Sequence, residues 1–504
     1  MTTCISGASP HSLSLRCPHG ARITSISRPP SPSPSTKGSF HRFAAPLFIL
    51  LILAGCKSLP VPELGAIYSE AASQHGPGDN PIIVIPGILG SRLEDSATGH
   101  IVWGAFGDGA LSPNSPEGFQ LNAHPMGSGP LAALQDSIIA PAALDSAKLR
   151  LLGLPVTLSA YASLLGTLGA GGYLDESFKT VEYGDDHYTC FQFPYDWRRD
   201  NIENARLLHA FILAKKKEVE AGNLRRFGRS GAPVKFDIVA HSMGGLITRY
   251  MLMYGDQEPA ADGAPPSLTW EGARNVAKVL LVATPNDGSL MALQQLTDGF
   301  RPAPILARYS PALLGTMPAI YQLLPDPKLQ PVLKEPGGQS LDYLEIATWE
   351  EFGWGLASPR AASELKRLFP AGTDPAKIAK IAHTHLAKCL DRAKAFRTAL
   401  ARPQSLPEGL SLQIYAGDAI ATPSTLRVAA NGKLSIAASS PGDGTVLRSS
   451  ALLDTRTPAE QGEPIRSPIP WSRVSFLHKD HIGLTQDPSF ADNILYQLLL
   501  APHP

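Results

Sequence analysis

Short apolar runs rich in Val, Ile and Leu alternate along this chain with longer runs in which apolar residues recur at a helical period. The short runs are bounded by Gly, Pro, Asp or Ser, which is typical of buried β-strands. They are PIIVIPG at 81–87, HYTCFQFPYDW at 187–197, KFDIVAHS at 235–242, AKVLLVATP at 277–285, LSLQIYAGD at 410–418 and WSRVSFL at 471–477. Because helical patterns such as residues 204–222 separate them, we predict an α/β fold with a mostly parallel sheet and helices on both faces.

Two long stretches between the predicted strands are expected to form insertions. The first covers about residues 92–180, and the second covers about residues 290–404. The second stretch is rich in helix-like apolar pattern, for example ILARYSPALLGTMPAIYQLLP. We therefore predict a lid-like insertion in the first and a helical cap in the second, both within one catalytic domain over 81–504.

Residues 1–56 are typical of a targeting segment rather than of a folded domain. No acidic residue precedes Glu63, and an apolar run at 44–54, too short to cross a bilayer, follows basic residues. The run ends in Leu-Ala-Gly-Cys, which resembles the lipobox of bacterial lipoproteins and makes Cys56 the predicted lipidated residue. We expect residues 57–80 to be a linker and the mature protein to be an exported lipoprotein of the bacterial outer membrane. A plain secretory signal and an organelle transit peptide are the alternatives.

Composition bears on the partners of the protein. Lys plus Arg, 44, equals Asp plus Glu, 44, so the charge balance gives no indication of a nucleic-acid partner. Charged residues make up 17% of the chain, below the usual share of about 25%, which favours an apolar surface suited to a lipid interface. His383, His385 and Cys389 suggest a metal site, but residues two apart on a helix do not face one ion. We expect neither a metal nor a cofactor.

The stretch FDIVAHSMGGLITRYMLMYG, residues 236–255, is the most informative for chemistry. A strand-like run leads directly into a Ser-containing turn, and a helical pattern follows. This is the context of a nucleophile elbow, in which a tight strand-to-helix turn exposes the serine above the sheet and directs a helix N-terminus at it. The residues two before and two after the serine must be small, and they are Ala240 and Gly244. We predict that Ser242 is a nucleophile.

A serine nucleophile needs a general base, and the base needs an acid that orients it. In α/β-hydrolases the order along the chain is Ser, then Asp or Glu, then His. Asp418 ends a predicted strand and Asp443 lies between two glycines, and their spacing does not separate them. For the base, His478 lies directly at the end of the last strand, whereas His481 lies midway along the loop before the last helix. We predict His481, from which the ring can reach the serine, and keep His478 as the alternative.

Seven stretches occur in the order seen in the lecithin:cholesterol acyltransferase family, which this chain resembles over most of 81–500. They are PIIVIPGILGSRLE, FPYDWRRD, AHSMGG, ATPNDGS, MPAIYQLLP, GDGTV and the closing histidine loop with HIGL. The resemblance implies an α/β-hydrolase fold, acyl transfer through a serine ester, and a cap and lid over a lipid-binding cleft. It also implies Asp443, in GDGTV, as the acid. The cysteine pair that brackets a lid loop in animal members is missing here.

The tetrahedral intermediate of acyl transfer carries a negative oxygen, which needs preorganised hydrogen-bond donors. One donor is the backbone N–H of Met243, the residue after the nucleophile. The resemblance to the family implies that the other is the backbone N–H of Ile88, which follows Pro86 and Gly87. Because both donors are backbone groups, their side chains are free to vary.

These features predict a serine-dependent O-acyltransferase or lipase that acts on a phospholipid or another lipid ester at a membrane surface. An alcohol acceptor would make the enzyme a transferase, and water alone would make it a phospholipase or carboxylesterase. A lipid-anchored binding protein that has kept the fold without turnover is the alternative from a different class. The Ser, Asp, His order along the chain favours the enzyme.

Overall fold

The computed structural model describes most of the chain from Val61 onward. The described residues are 61–74, 76–104, 111–144, 147–151, 154–158, 161–177, 189–228, 233–302, 306–457, 460 and 462–502. The predicted targeting segment, including Cys56, lies outside them. None of the described helices combines the length and the apolar character that a membrane crossing requires.

The strands are numbered β1 to β15 in chain order. They are β1 Ile82–Ile85, β2 Leu93–Asp95, β3 Ile101–Trp103, β4 Ile138–Ile139, β5 Ala147–Leu151, β6 Leu154–Leu158, β7 Cys190–Gln192, β8 Phe236–His241, β9 Val276–Val282, β10 Val332–Lys334, β11 Ser340–Leu341, β12 Ser411–Gly417, β13 Ile420–Val428, β14 Leu434–Gly442 and β15 Arg473–Leu477. The α-helices are Leu64–Ile67, Ser69–Ser73, Pro116–Asn122, Ala162–Ala170, Asn201–Phe227, Met243–Tyr254, Leu290–Asp298, Pro311–Leu314, Pro318–Tyr321, Ile346–Phe352, Ala361–Leu365, Pro375–Leu400, Arg448–Leu452 and Pro488–Leu495.

Six parallel strands form the central sheet, in the order β15-β12-β9-β8-β1-β7. These are the strands that the apolar runs of the sequence predict. Parallel strands need a crossover between neighbours, and the chain supplies helices for most of these crossovers. The predicted α/β-hydrolase fold class, with a mostly parallel sheet, is confirmed.

Apolar side chains cover both faces of this sheet. In β1, Ile83 and Ile85 belong to one buried cluster, whereas Ile82 and Val84 belong to another, because successive side chains of a strand point to opposite faces. The helices that contribute to the first cluster include Asn201–Phe227 and Met243–Tyr254, and those that contribute to the second include Ala162–Ala170 and Pro488–Leu495. The double coverage explains why the strand sequences are continuous apolar runs rather than alternating ones.

Helix boundaries follow from capping groups in the sequence. The helix predicted over 204–222 begins earlier, at Asn201, because the Asp200 side chain accepts a hydrogen bond from the Ile202 N–H. It ends at Phe227, where Gly228 takes a left-handed conformation. The last helix begins at Pro488 with Asp487 as its N-cap, as predicted from the Asp-Pro pair.

The structure contains a hairpin between the fifth and sixth predicted strands that the sequence analysis does not predict. Strands β13 and β14 pair antiparallel and join β10 and β11 in a four-stranded sheet, although only helices are predicted for the stretch that contains β10 and β11. Most residues of β14 are exposed, and its sequence, LSIAASSPG, has few β-branched or aromatic residues. An exposed edge strand needs no apolar pattern, so the pattern cannot predict it.

Buried ion pairs tie the long insertions to the sheet. Arg198 is fully buried after β7 and donates hydrogen bonds to Asp196 and to Asp136. It also donates to the main-chain carbonyls of Leu121 and Ala123. Asp136 and these carbonyls belong to the first insertion. Arg198 therefore fixes that insertion against the carboxyl end of the sheet.

The second insertion is fixed in the same way from the loop after β9. Asp287 is buried in this loop, and its Oδ1 lies 2.9 Å from Nη2 of Arg397 on the helix Pro375–Leu400. The Gln330 side chain donates to the other carboxylate oxygen of Asp287, at 3.1 Å. A buried carboxylate needs such partners, so the ATPNDGS stretch has a structural role at its aspartate.

Candidate active site

Ser242 lies in a sharp turn between β8 and the helix Met243–Tyr254. Its backbone has φ 52° and ψ −126°, a conformation that residues with a Cβ rarely adopt. Such strain persists only where the surrounding structure enforces it, and it is a feature of nucleophile elbows. The predicted elbow context of Ser242 is therefore present in the structure.

Close packing around the turn explains its small residues. A Cβ at Gly244 would lie 2.4 Å from the carbonyl oxygen of Pro86, so the helix approaches β1 only because this position has no side chain. Ala240, on the other side of the turn, is fully buried in β8. The whole helix Met243–Tyr254 is buried, rather than only the face that its apolar residues predict.

The structure brings Ser242, His481 and Asp443 together, although they lie on three separate segments. The Ser242 Oγ lies 2.9 Å from Nε2 of His481, and Nδ1 of His481 lies 2.8 Å from Oδ2 of Asp443. A carboxylate only accepts, so the His481 Nδ1–H donates to Asp443 and leaves Nε2 free to accept from the Ser242 hydroxyl. This is the geometry in which a histidine takes a proton from a serine.

Asp443 reaches this position at the end of the β13–β14 hairpin. The hairpin starts and ends at the carboxyl end of β12, so the chain returns there at Asp443, which lies 25 positions after Asp418. A Cβ at Gly417, the last residue of β12, would lie 2.6 Å from the Cβ of Asp443. The acid therefore occupies the space that a side chain at Gly417 would fill.

The surroundings of Asp443 keep its carboxylate ionised. Burial on its own would raise the pKa of this carboxyl, but the facing His481 and the N–H groups of Val446 and Thr445 outweigh it and lower the pKa. The two N–H groups donate to Oδ1 at 2.6 and 2.9 Å, so Oδ2 remains for His481. An ionised acid in this position stabilises the imidazolium that forms when His481 takes a proton.

The two alternatives considered from the sequence, Asp418 and His478, are placed beside each other. Nδ1 of His478 lies 3.9 Å from Oδ1 of Asp418, and the His478 side chain is 83% exposed. Asp418 also lies 3.6 Å from Arg448, which packs on the ring of Phe476. Neither alternative contacts Ser242, so the geometry favours His481 and Asp443 for the site.

The loop after β1 lies directly against the nucleophile. A Cβ at Gly87 would fall 2.8 Å from the Cβ of Ser242. Neither the Ile88 N–H nor the Met243 N–H donates a hydrogen bond within the part of the chain that the structure describes. Met243 is the first residue of its helix, where the N–H has no intrahelical acceptor. Both predicted donors are thus available to an oxygen at the site.

The FPYDWRR stretch after β7 supports this loop from behind. The Tyr195 hydroxyl donates to the Pro86 carbonyl at 2.9 Å, and the Trp197 indole N–H donates to the Ser91 carbonyl at 3.3 Å. Both side chains are buried. The structure therefore gives Tyr195 and Trp197 a structural role, which is to position the loop of Ile88.

The three residues considered for a metal site do not converge. His383 is exposed and lies 2.7 Å from Glu350, whereas His385 is buried and donates from Nε2 to the Thr316 carbonyl. Cys389 is a buried free cysteine. Among the described residues, no group of three or more His, Cys, Asp and Glu side chains is arranged to hold a metal ion.

Comparison with known families bears on this site directly. The model of the lecithin:cholesterol acyltransferase family matches residues 175–343, a range that contains the elbow of Ser242 and the loop after β9. Over these residues the chain is similar to the lecithin:cholesterol acyltransferase family. The predicted resemblance to this family is confirmed, and the match together with the fold indicates an enzyme that acts on esters. Ile88, Asp443 and His481 lie outside the matched range.

Solved structures similar to this chain include a protein complex and a lipase. The structure of the Tle4–Tli4 complex is similar over 84% of this chain and 98% of that chain, with 14% identity and a TM-score of 0.51. Lipase 1 from Pelosinus fermentans covers 84% of this chain and 99% of its own, with 14% identity and a TM-score of 0.33. At these identities the similarity to the first indicates the α/β-hydrolase fold and no more. No curated protein matches the chain in sequence.

Proposed function

We propose that this protein cleaves lipid esters through an acyl-Ser242 intermediate and passes the acyl chain to an alcohol, or to water where no alcohol is present. The observation that supports this most directly is the chain of two hydrogen bonds from Ser242 through His481 to Asp443. The relation to a family of lipid acyltransferases supports a lipid ester as the substrate.

In the first half of the proposed reaction, His481 Nε2 takes the proton of the Ser242 hydroxyl as Oγ attacks the ester carbonyl. The C–O π electrons move to the carbonyl oxygen, which becomes negative and accepts hydrogen bonds from the N–H groups of Ile88 and Met243. Removing one such donor typically costs about 3 kcal/mol of transition-state stabilisation. His481 then gives its proton to the departing alcohol oxygen of the lipid, and the acyl-Ser242 ester remains.

In the second half, the same groups act on an incoming hydroxyl. His481 takes the proton of the acceptor alcohol or water, whose oxygen attacks the acyl carbonyl and forms a second negative oxygen at the same two N–H groups. The bond to Ser242 Oγ then breaks, and His481 returns the proton to Oγ. Whether a fatty acid or a new ester leaves depends on which acceptor occupies the site.

Product analysis tests this proposal. Purified protein is incubated with phosphatidylcholine that carries a labelled acyl chain, with and without a long-chain alcohol. We expect labelled fatty acid without the alcohol and a labelled new ester with it. Labelled fatty acid alone in both cases would contradict the transferase part of the proposal. If neither product forms and a fluorophosphonate labels no serine, the protein is not an enzyme of this kind, and the result favours a binding protein.

We also propose that Cys56 is lipidated and anchors the mature protein to a membrane. The support is the Leu-Ala-Gly-Cys sequence at the end of the apolar run, and two or more acyl chains suffice for stable anchoring. In a bacterial host, Cys56→Ala is expected to abolish the acyl mass on the mature N-terminus and to move the protein out of the membrane fraction. Cys17→Ala, in the same leader, is the matched control. An unchanged mature mass and fractionation in Cys56→Ala would rule out the anchor.

A further inference from the structure

His241, directly before the nucleophile, is fully buried at the end of β8 and forms two hydrogen bonds. Its Nε2 lies 3.1 Å from the carbonyl oxygen of His481, and its Nδ1 lies 2.9 Å from the hydroxyl of Tyr161. The mechanism described above assigns no step to this imidazole. Its two partners nevertheless belong to the two loops that flank Ser242, or contact them directly.

The partners of His241 determine its protonation. A carbonyl oxygen only accepts, so Nε2 carries the hydrogen and donates to the main chain of His481. Burial and the nearby His481 lower the pKa of His241 to about 3, so the ring is neutral and Nδ1 is unprotonated. Nδ1 therefore accepts the hydrogen bond from the Tyr161 hydroxyl.

Tyr161 connects this histidine to the loop that carries Ile88. Its oxygen accepts a hydrogen bond from the Gly87 N–H at 2.8 Å while its hydrogen is donated to His241. Tyr195 donates to the carbonyl oxygen of Pro86, at 2.9 Å. The Pro86–Gly87 peptide group is thus held at both its N–H and its C=O by buried tyrosines. The Ile88 N–H belongs to the next peptide group, which is joined to this one at the Cα of Gly87, so holding the first peptide limits the movement of the second.

We propose that Tyr161 and His241 are positioning residues, which hold the Ile88 loop and the His481 loop in a fixed relation through one continuous series of hydrogen bonds. The series runs from the Gly87 N–H to the Tyr161 hydroxyl, on to His241, and ends at the His481 carbonyl. This inference rests on the proposed function, because it assigns Ile88 and His481 their roles in acyl transfer. The series of hydrogen bonds should affect the transition state, in which the Ile88 N–H and the His481 ring act on the same reacting group.

Tyr161→Phe removes one hydroxyl and interrupts the series at its centre. The Gly87 N–H loses its acceptor and His241 Nδ1 loses its donor. The Pro86–Gly87 peptide group is then held only at its carbonyl, by Tyr195. We expect kcat to fall about 10- to 100-fold, because a donor to the negative oxygen is misdirected by tenths of an ångström. KM should change less than about 2-fold, because Tyr161 contacts no substrate atom in this mechanism.

Tyr415→Phe is a matched control. Tyr415 lies in the same buried cluster as Tyr161, and its hydroxyl is buried without a hydrogen-bond partner in the described structure. Its removal takes the same atom from the same cluster and interrupts nothing. We expect kcat and KM of Tyr415→Phe to equal those of the wild-type protein within about 2-fold.

Two inhibitors distinguish a positioning role of Tyr161 from a general loosening of the site in Tyr161→Phe. A trifluoromethyl ketone with an acyl-like chain forms a tetrahedral adduct with a negative oxygen on a catalytic serine, whereas a non-hydrolysable ether phospholipid only occupies the site. Tyr161→Phe should weaken the binding of the ketone by the same factor by which it lowers kcat. It should leave the affinity for the ether lipid unchanged. Equal weakening of both, or an unchanged ketone affinity, would overturn the proposal.

A measurement without substrate keeps this inference separate from the proposed function. In ¹⁵N-histidine NMR of the full chain, His241 is assigned by the loss of its signals in His241→Gln. We expect the neutral ring, protonated at Nε2, to persist down to about pH 5, and its Nδ1 signal to shift in Tyr161→Phe but not in Tyr415→Phe. A wild-type protein that turns over no ester would contradict the proposed function alone, whereas an unchanged Nδ1 signal in Tyr161→Phe would contradict the hydrogen-bond series.

Discussion

Ser242→Ala is expected to lower lipid-ester turnover by about 10⁴- to 10⁶-fold while the protein remains folded. The substitution removes the only atom that can form the acyl-serine ester in the proposed reaction. It should cost little stability, because the change removes one hydroxyl, whose hydrogen bond among the described residues is to the His481 ring. Release of labelled fatty acid from phosphatidylcholine measures the turnover, and circular dichroism with thermal unfolding measures the fold.

A fluorophosphonate probe checks the same prediction without a choice of lipid. The wild-type chain should be labelled at one serine, and Ser242→Ala should not be labelled. Ser435→Ala, on the exposed strand β14, is the control and should be labelled like the wild type. Turnover or labelling retained by pure, folded Ser242→Ala would show that another residue is the nucleophile.

His481→Gln is the second variant for which we expect a large effect. Glutamine has a similar length and can keep a hydrogen bond to Ser242, but it cannot take a proton at neutral pH. Turnover should fall by about 10³-fold or more, with little change in KM, because His481 acts on the proton in transit rather than on the bound lipid. The kcat and KM of both substrates, lipid and a soluble ester, provide the measurement.

His478→Gln is the matched control for this variant. The two histidines lie three residues apart on the same loop, but the His478 ring is 83% exposed and faces Asp418 rather than Asp443. We expect turnover of His478→Gln within about 2-fold of wild type, since an exposed, weakly paired side chain contributes little. A larger loss in His478→Gln than in His481→Gln would transfer the role of the base to His478.

Several parts of the fold follow from the sequence because the physical cause is local. The six central strands are predictable since both faces of a parallel sheet are buried, which requires continuous apolar runs such as that of β9. The elbow at Ser242 is predictable since the close approach of helix and strand requires glycine at position 244. The start of the last helix is predictable from its Asp487 cap.

Other parts depend on contacts between distant segments and leave no local pattern. The choice between Asp418 and Asp443 depends on the β13–β14 hairpin, which brings the second of them back to the end of the same strand. The contacts of Tyr161 and His241 join residues 80 positions apart. Tyr161 lies in the first insertion, where no sequence pattern relates it to the Gly87 loop. A buried tyrosine hydroxyl usually finds a hydrogen-bond partner, but the residue type does not indicate which partner it finds.

The β13–β14 hairpin also has a mechanical consequence. Each strand has nine residues, so the ribbon extends about 30 Å. One end carries Asp443, and at the other end the indole N–H of buried Trp354 donates to the carbonyl of Gly432 at 2.7 Å. Trp354 belongs to the second insertion, so the hairpin connects that insertion to the acid. We therefore expect the position of Asp443 to depend on the segment around Trp354, which holds the opposite end of the hairpin.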